Sequence, residues 1–213
     1  MRKATAVVHI GPAGGARFTQ YTAEFEAGGT LEPASVQRFV YVLDGELRVE
    51  ERSLTPGDYA YLPSNSSEVL AATRPARAAI IEKPYESLTG ASTPPFVSGK
   101  ESAVAGQPFM GDDALHVRVL LPADPAFDFA VNTMTFQPGA TLPMVEIHVM
   151  EHGLLMLAGE GIYHLGEHWY PVAAGDFIWM GPYCPQWFGA LGKTPAKYLL
   201  YKDWNRHPLA EKA

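Results

Sequence analysis

Residues 153–182 read GLLMLAGEGIYHLGEHWYPVAAGDFIWMGP, and residues 39–63 read FVYVLDGELRVEERSLTPGDYAYLP. Both stretches run through an apolar strand, a glycine-bearing hairpin, a more polar strand, a Gly-Asp turn and an aromatic strand. Short runs rich in β-branched and aromatic residues, bounded by Gly, Pro, Asp and Asn, belong to all-β sandwiches and barrels. The whole pattern recurs roughly 115 residues further on, which argues for two copies of one domain. The runs at 116–121 (HVRVLL), 129–136 (FAVNTMTF) and 197–203 (KYLLYKD) add further strands. Only the tail at 204–213, WNRHPLAEKA, offers a modest helical candidate.

Between the copies, residues 82–108 are rich in Ser, Gly, Pro and Thr and lack periodicity, so the boundary is expected between 85 and 107. We draw it as an N-terminal domain at 1–95 and a C-terminal domain at 96–213. With 213 residues, 47% hydrophobic and 18% charged, the chain can bury a core without staples. A formal net charge of -7 argues against nucleic acid and anionic membranes as partners and favours a small molecule. The single cysteine, Cys184, excludes an internal disulfide framework and fits a reducing compartment. The apolar run at the start is cut short by His9 and Gly11, and no eighteen-residue apolar stretch occurs, so a cytoplasmic protein is expected.

The stretch PMVEIHVMEH, residues 143–152, puts chemistry into this framework. If it is extended, positions 146, 148, 150 and 152 share one face. Three of those four, Glu146, His148 and His152, are metal-ligating types, and burying them unpaired would cost several kcal/mol each. Glu151 has the opposite parity and stays outside this set. A later Gly-Asp turn and aromatic strand lead to Gln186, with Cys184 placed for packing beside it.

This arrangement resembles the cupin superfamily. Gly139, Glu146, His148, His152 and Gly159 fit the frame of its first motif with altered ligand identities. Gly175, Gly181 and Gln186 fit its second, with glutamine in the histidine place. Two imidazoles, a carboxylate and an amide oxygen suit octahedral Mn(II) or Fe(II) with two open positions better than tetrahedral zinc.

The altered ligands, with the sequence from about 136 to the end, look like the bicupin (S)-ureidoglycine aminohydrolases of purine and allantoin degradation. The N-terminal copy is similar to that family more loosely. Members usually begin further upstream, so the chain reads as trimmed at its start. The resemblance implies a fold of two tandem cupin domains and a Mn(II) enzyme, with Fe(II) or Zn(II) as lesser choices. It would convert (S)-ureidoglycine and water to (S)-ureidoglycolate and ammonia. Glu146, His148, His152 and Gln186 would be the metal ligands, and Tyr163, Tyr198 and Lys202 would stand around the ureido amino acid substrate. A homo-oligomer is the cupin habit.

Aligned on Gly45 and Gly159, the copies put Glu32, Ala34 and Arg38 opposite Glu146, His148 and His152. Aligned on Gly57 and Gly175, they put Glu68 opposite Gln186. Alanine cannot ligate and arginine stays protonated, so a metal-free N-terminal domain is expected. His164 and His168 flank a hairpin and are expected at the surface. His9, His116 and His207 have no partner legible in sequence. Two other readings remain: a cupin isomerase or dioxygenase acting on another small carboxylate, and a binding module without turnover.

Overall fold

The computed structural model of the chain describes residues 1–206. His207 and most of the helical candidate at 204–213 lie outside the described residues, and Trp204 to Arg206 carry no helical turn. The chain divides into two compact units, Met1–Ala103 and Val104–Ala213. The division falls beyond the expected 95/96 position, because strand Val97–Lys100 hydrogen-bonds to Asp58–Tyr61 and so completes the first unit. Among the described residues the regular structure is β-strand with two short 3-10 turns. None of them forms a helix long and apolar enough to cross a membrane.

The first unit contains β1 (Arg2–Ile10), β2 (Thr19–Leu31), β3 (Gln37–Asp44), β4 (Leu47–Val49) and β5 (Arg52–Leu54). It continues with β6 (Asp58–Leu62), β7 (Leu70–Ala72), β8 (Ala76–Lys83) and β9 (Val97–Lys100). The antiparallel order is β5-β4-β7-β2-β8-β3-β6-β9, with β1 on β2. Alternation selects the buried face: Tyr21, Ala23 and Phe25 of β2 meet Val40 and Val42 of β3 and Ala78 and Ile80 of β8 in one cluster.

The second unit contains β10 (Gln107–Phe109), β11 (Asp112–Val119), β12 (Phe129–Phe136), β13 (His152–Ala158) and β14 (Glu160–Leu165). It ends with β15 (His168–Ala173), β16 (Phe177–Met180), β17 (Gln186–Leu191) and β18 (Ala196–Asp203). A six-stranded sheet, β10-β11-β12-β18-β13-β16, faces a three-stranded one, β15-β14-β17. Their inner faces share a cluster in which Phe136 meets Phe188 edge-on, centroids 4.8 Å apart.

The two copies solve the same steric problem in the same way. Gly45 and Gly159 turn their hairpins at φ 77° and 70°. A Cβ at Gly159 would stand 2.6 Å from the Pro195 carbonyl oxygen, and one at Gly45 would strike the Pro75 carbonyl. Strand registers correspond too: His152 pairs with Lys202 and Lys202 with Ala130, while Arg38 pairs with Glu82 and Glu82 with Thr19.

Arg38 therefore stands at the place of His152. Its Nε and Nη2 each reach Glu82 Oε1 at 2.7 Å, and Nη1 donates to the Glu32 carbonyl at 3.0 Å. A guanidinium supplies here a fixed positive charge that ties two strands to the preceding loop. Arg38→Met keeps the aliphatic bulk but strands the Glu82 carboxylate, and is expected to cost about 3 kcal/mol. Urea unfolding should show it as a lower midpoint, partly restored by adding Glu82→Gln.

Candidate active site

The segment carrying Glu146 and His148 is not the regular strand expected across 146–152, for β13 begins only at His152. The preceding residues are held instead by isolated bridges, Thr141 to Gly189 and Glu146 to Gln186. Glu146 N–H donates to the Gln186 carbonyl at 2.8 Å, and Gln186 N–H returns a bond of 2.9 Å. The Tyr183 N–H caps the His148 carbonyl at 2.7 Å. Outside regular pairing the chain still alternates, because Glu146, His148, Met150 and His152 line one cavity while Val145 and Ile147 are exposed.

That cavity, about 170 Å³, lies within the second unit and is lined by all seven sequence-predicted site residues. Glu146, His148 and His152 form one wall. Gln186 opens β17, Tyr163 comes from β14, and Tyr198 and Lys202 share the inward face of β18. The neighbouring polar residues go elsewhere. Buried Glu151 accepts from Trp179 Nε1 at 2.9 Å, and Cys184 packs half-buried against the core. His168 is exposed as expected, whereas His164 is half-buried and stacks on Trp169; His9 bonds to Thr22 Oγ1 at 2.9 Å.

His148 Nε2 lies 3.2 Å from Glu146 Oε2, and the His148 ring stacks on His152 with centroids 4.9 Å apart. Gln186 Oε1 is buried without a hydrogen-bond partner. An amide oxygen so placed carries its full desolvation cost until a cation or donor meets it. Among the described residues no three His, Cys, Asp or Glu side chains are already arranged to hold a metal. Glu146 and His148 spend their facing atoms on each other, and the fourth donor is an amide. Two imidazoles, a carboxylate and an unsatisfied amide oxygen fit a divalent cation of N/O preference.

Electrostatics set the protonation states. Burial, then the charges of His148 and Lys202, hold His152 down at about 3, so its imidazole is neutral and keeps a lone pair. Burial pushes the Tyr163 phenol up, assisted by Glu146 and Cys184. It pushes Tyr198 up as well, assisted by Tyr163 and Glu146. Both phenols stay protonated and able to donate; Tyr198 now spends its proton weakly on Met134 Sδ at 3.2 Å. Burial draws Lys202 down, Glu146 opposes it, and the ammonium lies 4.2 Å over the Trp204 ring.

Two further lining residues with N–H or amide groups, Asn132 and Trp204, are not singled out by the sequence patterns. Trp204 has the parity of Tyr198 and Lys202 but lies just past the end of β18. Asn132 interrupts the inward apolar row of FAVNTMTF, and a polar residue in that row was the available signal.

Comparison with known proteins bears on the fold and the family. A cupin-domain family model matches residues 132–201, and an EutQ-like cupin-domain model matches residues 12–85. The chain is 42% identical over 209 residues to an (S)-ureidoglycine aminohydrolase of Arabidopsis thaliana, covering 94% of this chain and 69% of that protein. The (S)-ureidoglycine aminohydrolase of Escherichia coli K12 is 31% identical over 203 residues, with 90% and 77% covered. A crystal structure of a glyoxylate-induced protein from Pseudomonas aeruginosa superposes with a TM-score of 0.89 at 29% identity, covering all of this chain and 85% of that one.

Proposed function

The chain belongs to the (S)-ureidoglycine aminohydrolase family, and on that premise we propose that it converts (S)-ureidoglycine and water to (S)-ureidoglycolate and ammonia, with Mn(II) as cofactor. The observation that carries this reading is the buried, unpartnered Gln186 Oε1 in the same cavity as two imidazoles and a carboxylate. Glu146, His148, His152 and Gln186 would hold the cation, which when bound supplies Lewis-acid charge beside the substrate carboxylate and amine.

The remaining steps fall to the protein's own groups. Lys202, on the strand next to His152, neutralises the substrate carboxylate and delivers a proton to the leaving amine. The C–N bond breaks with its electron pair on nitrogen, and the lone pair of the ureido nitrogen stabilises the carbon left behind. Ammonia departs; the oxygen of water then bonds to the same carbon and its proton returns to Lys202. Tyr163 and Tyr198, kept protonated by burial, donate to substrate oxygens. Leu142, Met134 and Leu200 form an apolar wall that limits stray water.

The net charge of -7 supports a small-molecule partner rather than nucleic acid or an anionic membrane, and the single cysteine suits the cytoplasm. Exposed Met144, Val145, Ile147 and Trp169 on the second unit support a homo-oligomer. The test is ammonia release from fresh (S)-ureidoglycine by metal-stripped protein with Mn(II), Fe(II), Zn(II) or nothing restored, product chirality being followed in the same sample. Mn-dependent formation of the single S product is expected. Only racemic background decay would overturn the function, and a requirement for Fe(II) with oxygen would turn attention to a dioxygenase.

A further inference from the structure

Asn132 sits on β12 among residues that face the core, between Ala130 and Met134, and is 8% exposed. Its Oδ1 is buried without a hydrogen-bond partner and its side chain lines the cavity. An acceptor in that state carries a desolvation penalty that a ligand donor can relieve. The corresponding rung of the first unit is occupied by Tyr21, within an apolar cluster, so the fold does not itself demand an amide there.

Strand register fixes where the oxygen stands relative to the rest of the site. Asn132 is opposite Leu200, and Lys202 lies one inward-facing place further along β18. Such diagonal neighbours lie about 7–8 Å apart, a span that one ureido acid covers with a hydrogen bond at each end. A carboxylate held at Lys202 directs the ureido arm toward Asn132, and that arm carries N–H donors.

We propose that Asn132 is a substrate-binding residue whose side-chain oxygen accepts a hydrogen bond from the ureido N–H groups, selecting ureido acids over acyl analogues. This assignment rests on the proposed function. Its probes are N-carbamoylglycine and N-acetylglycine, which lack the leaving amine and differ in whether an amino or a methyl group ends the arm. Both are assayed as competitive inhibitors of ammonia release by the Mn-loaded full chain.

Wild-type protein is expected to bind N-carbamoylglycine about tenfold more tightly than N-acetylglycine, the worth of one well-placed hydrogen bond. In Asn132→Leu the ratio should fall to near one, and KM for ureidoglycine should rise more than kcat falls. Metal content should stay that of the wild type. Asn132→Ala, which removes the acceptor without adding apolar bulk, should give the same loss of preference if Leu disturbs the fold. A preference retained in either folded variant, beside an active wild type, overturns the role of Asn132 alone. A wild type that releases no ammonia overturns the function and this assignment with it.

Discussion

His152→Ala is expected to lose bound Mn(II) and at least about 10³-fold in kcat/KM, because several kcal/mol of charge stabilisation go with the cation. The residue is 4% exposed at the start of β13, among buried neighbours that leave its nitrogen no simple substitute. Metal content by elemental analysis and steady-state ammonia release check the two losses together. Wild-type metal content in the variant would remove His152 from the ligand set.

The same variant should alter the acid stability of the metal-free protein. His152 is held at about 3 when folded against 6.5 ordinarily, by burial first and then by His148 and Lys202. Between those values the unfolded chain binds a proton that the folded chain refuses, so stability rises with pH through that window. It is complete above 6.5 and lost as pH falls toward 3. In His152→Ala the dependence of the melting temperature on pH should be flatter in this range.

Lys202→Met is expected to lower kcat by about 10²- to 10⁴-fold while leaving metal content unchanged, the span typical of a positioned proton donor. Burial lowers its pKa from the ordinary lysine value, and the Glu146 carboxylate opposes that shift. The Trp204 ring beneath the ammonium steadies it. Lys202→Arg should not restore the rate, since a guanidinium keeps its proton and is larger. A rise in KM with unchanged kcat would instead make Lys202 a carboxylate anchor without a proton-transfer role.

Much of the fold was legible because its determinants are local. Gly45 and Gly159 mark hairpins through a positive φ and a steric limit, and alternating residues such as Val40 and Val42 or Leu154 and Met156 mark the inner faces. The division between units was less legible. Val97–Lys100 has little strand character in sequence and joins the first unit only through pairing with β6. Of the helical candidate at 204–213 only Trp204 to Arg206 are described, and Asn205 and Arg206 bond there to the carbonyls of residues 124–127 instead of forming a turn.

The site divides along the same line. Glu146, His148 and His152 declared themselves through even spacing, and that parity survived although the segment is bridged irregularly to β17 rather than paired as a strand. A lone polar or aromatic residue in a strand run, such as Asn132 or Trp204, is usually packing, and only the tertiary structure brings both to the cavity that Lys202 lines.

From residues alone came the duplicated all-β plan, the shared parity of Glu146, His148 and His152, and the place of Arg38 opposite His152 in the first copy, each written in spacing along the chain. Tertiary structure alone decided that β12, β13, β14, β17 and β18 converge on one cavity. It also decided that the oxygens of Gln186 and Asn132 are left without partners there, and that burial keeps His152 neutral and the two phenols protonated. Those properties arise from desolvation and from cross-strand neighbours far apart in the chain, which no local pattern encodes.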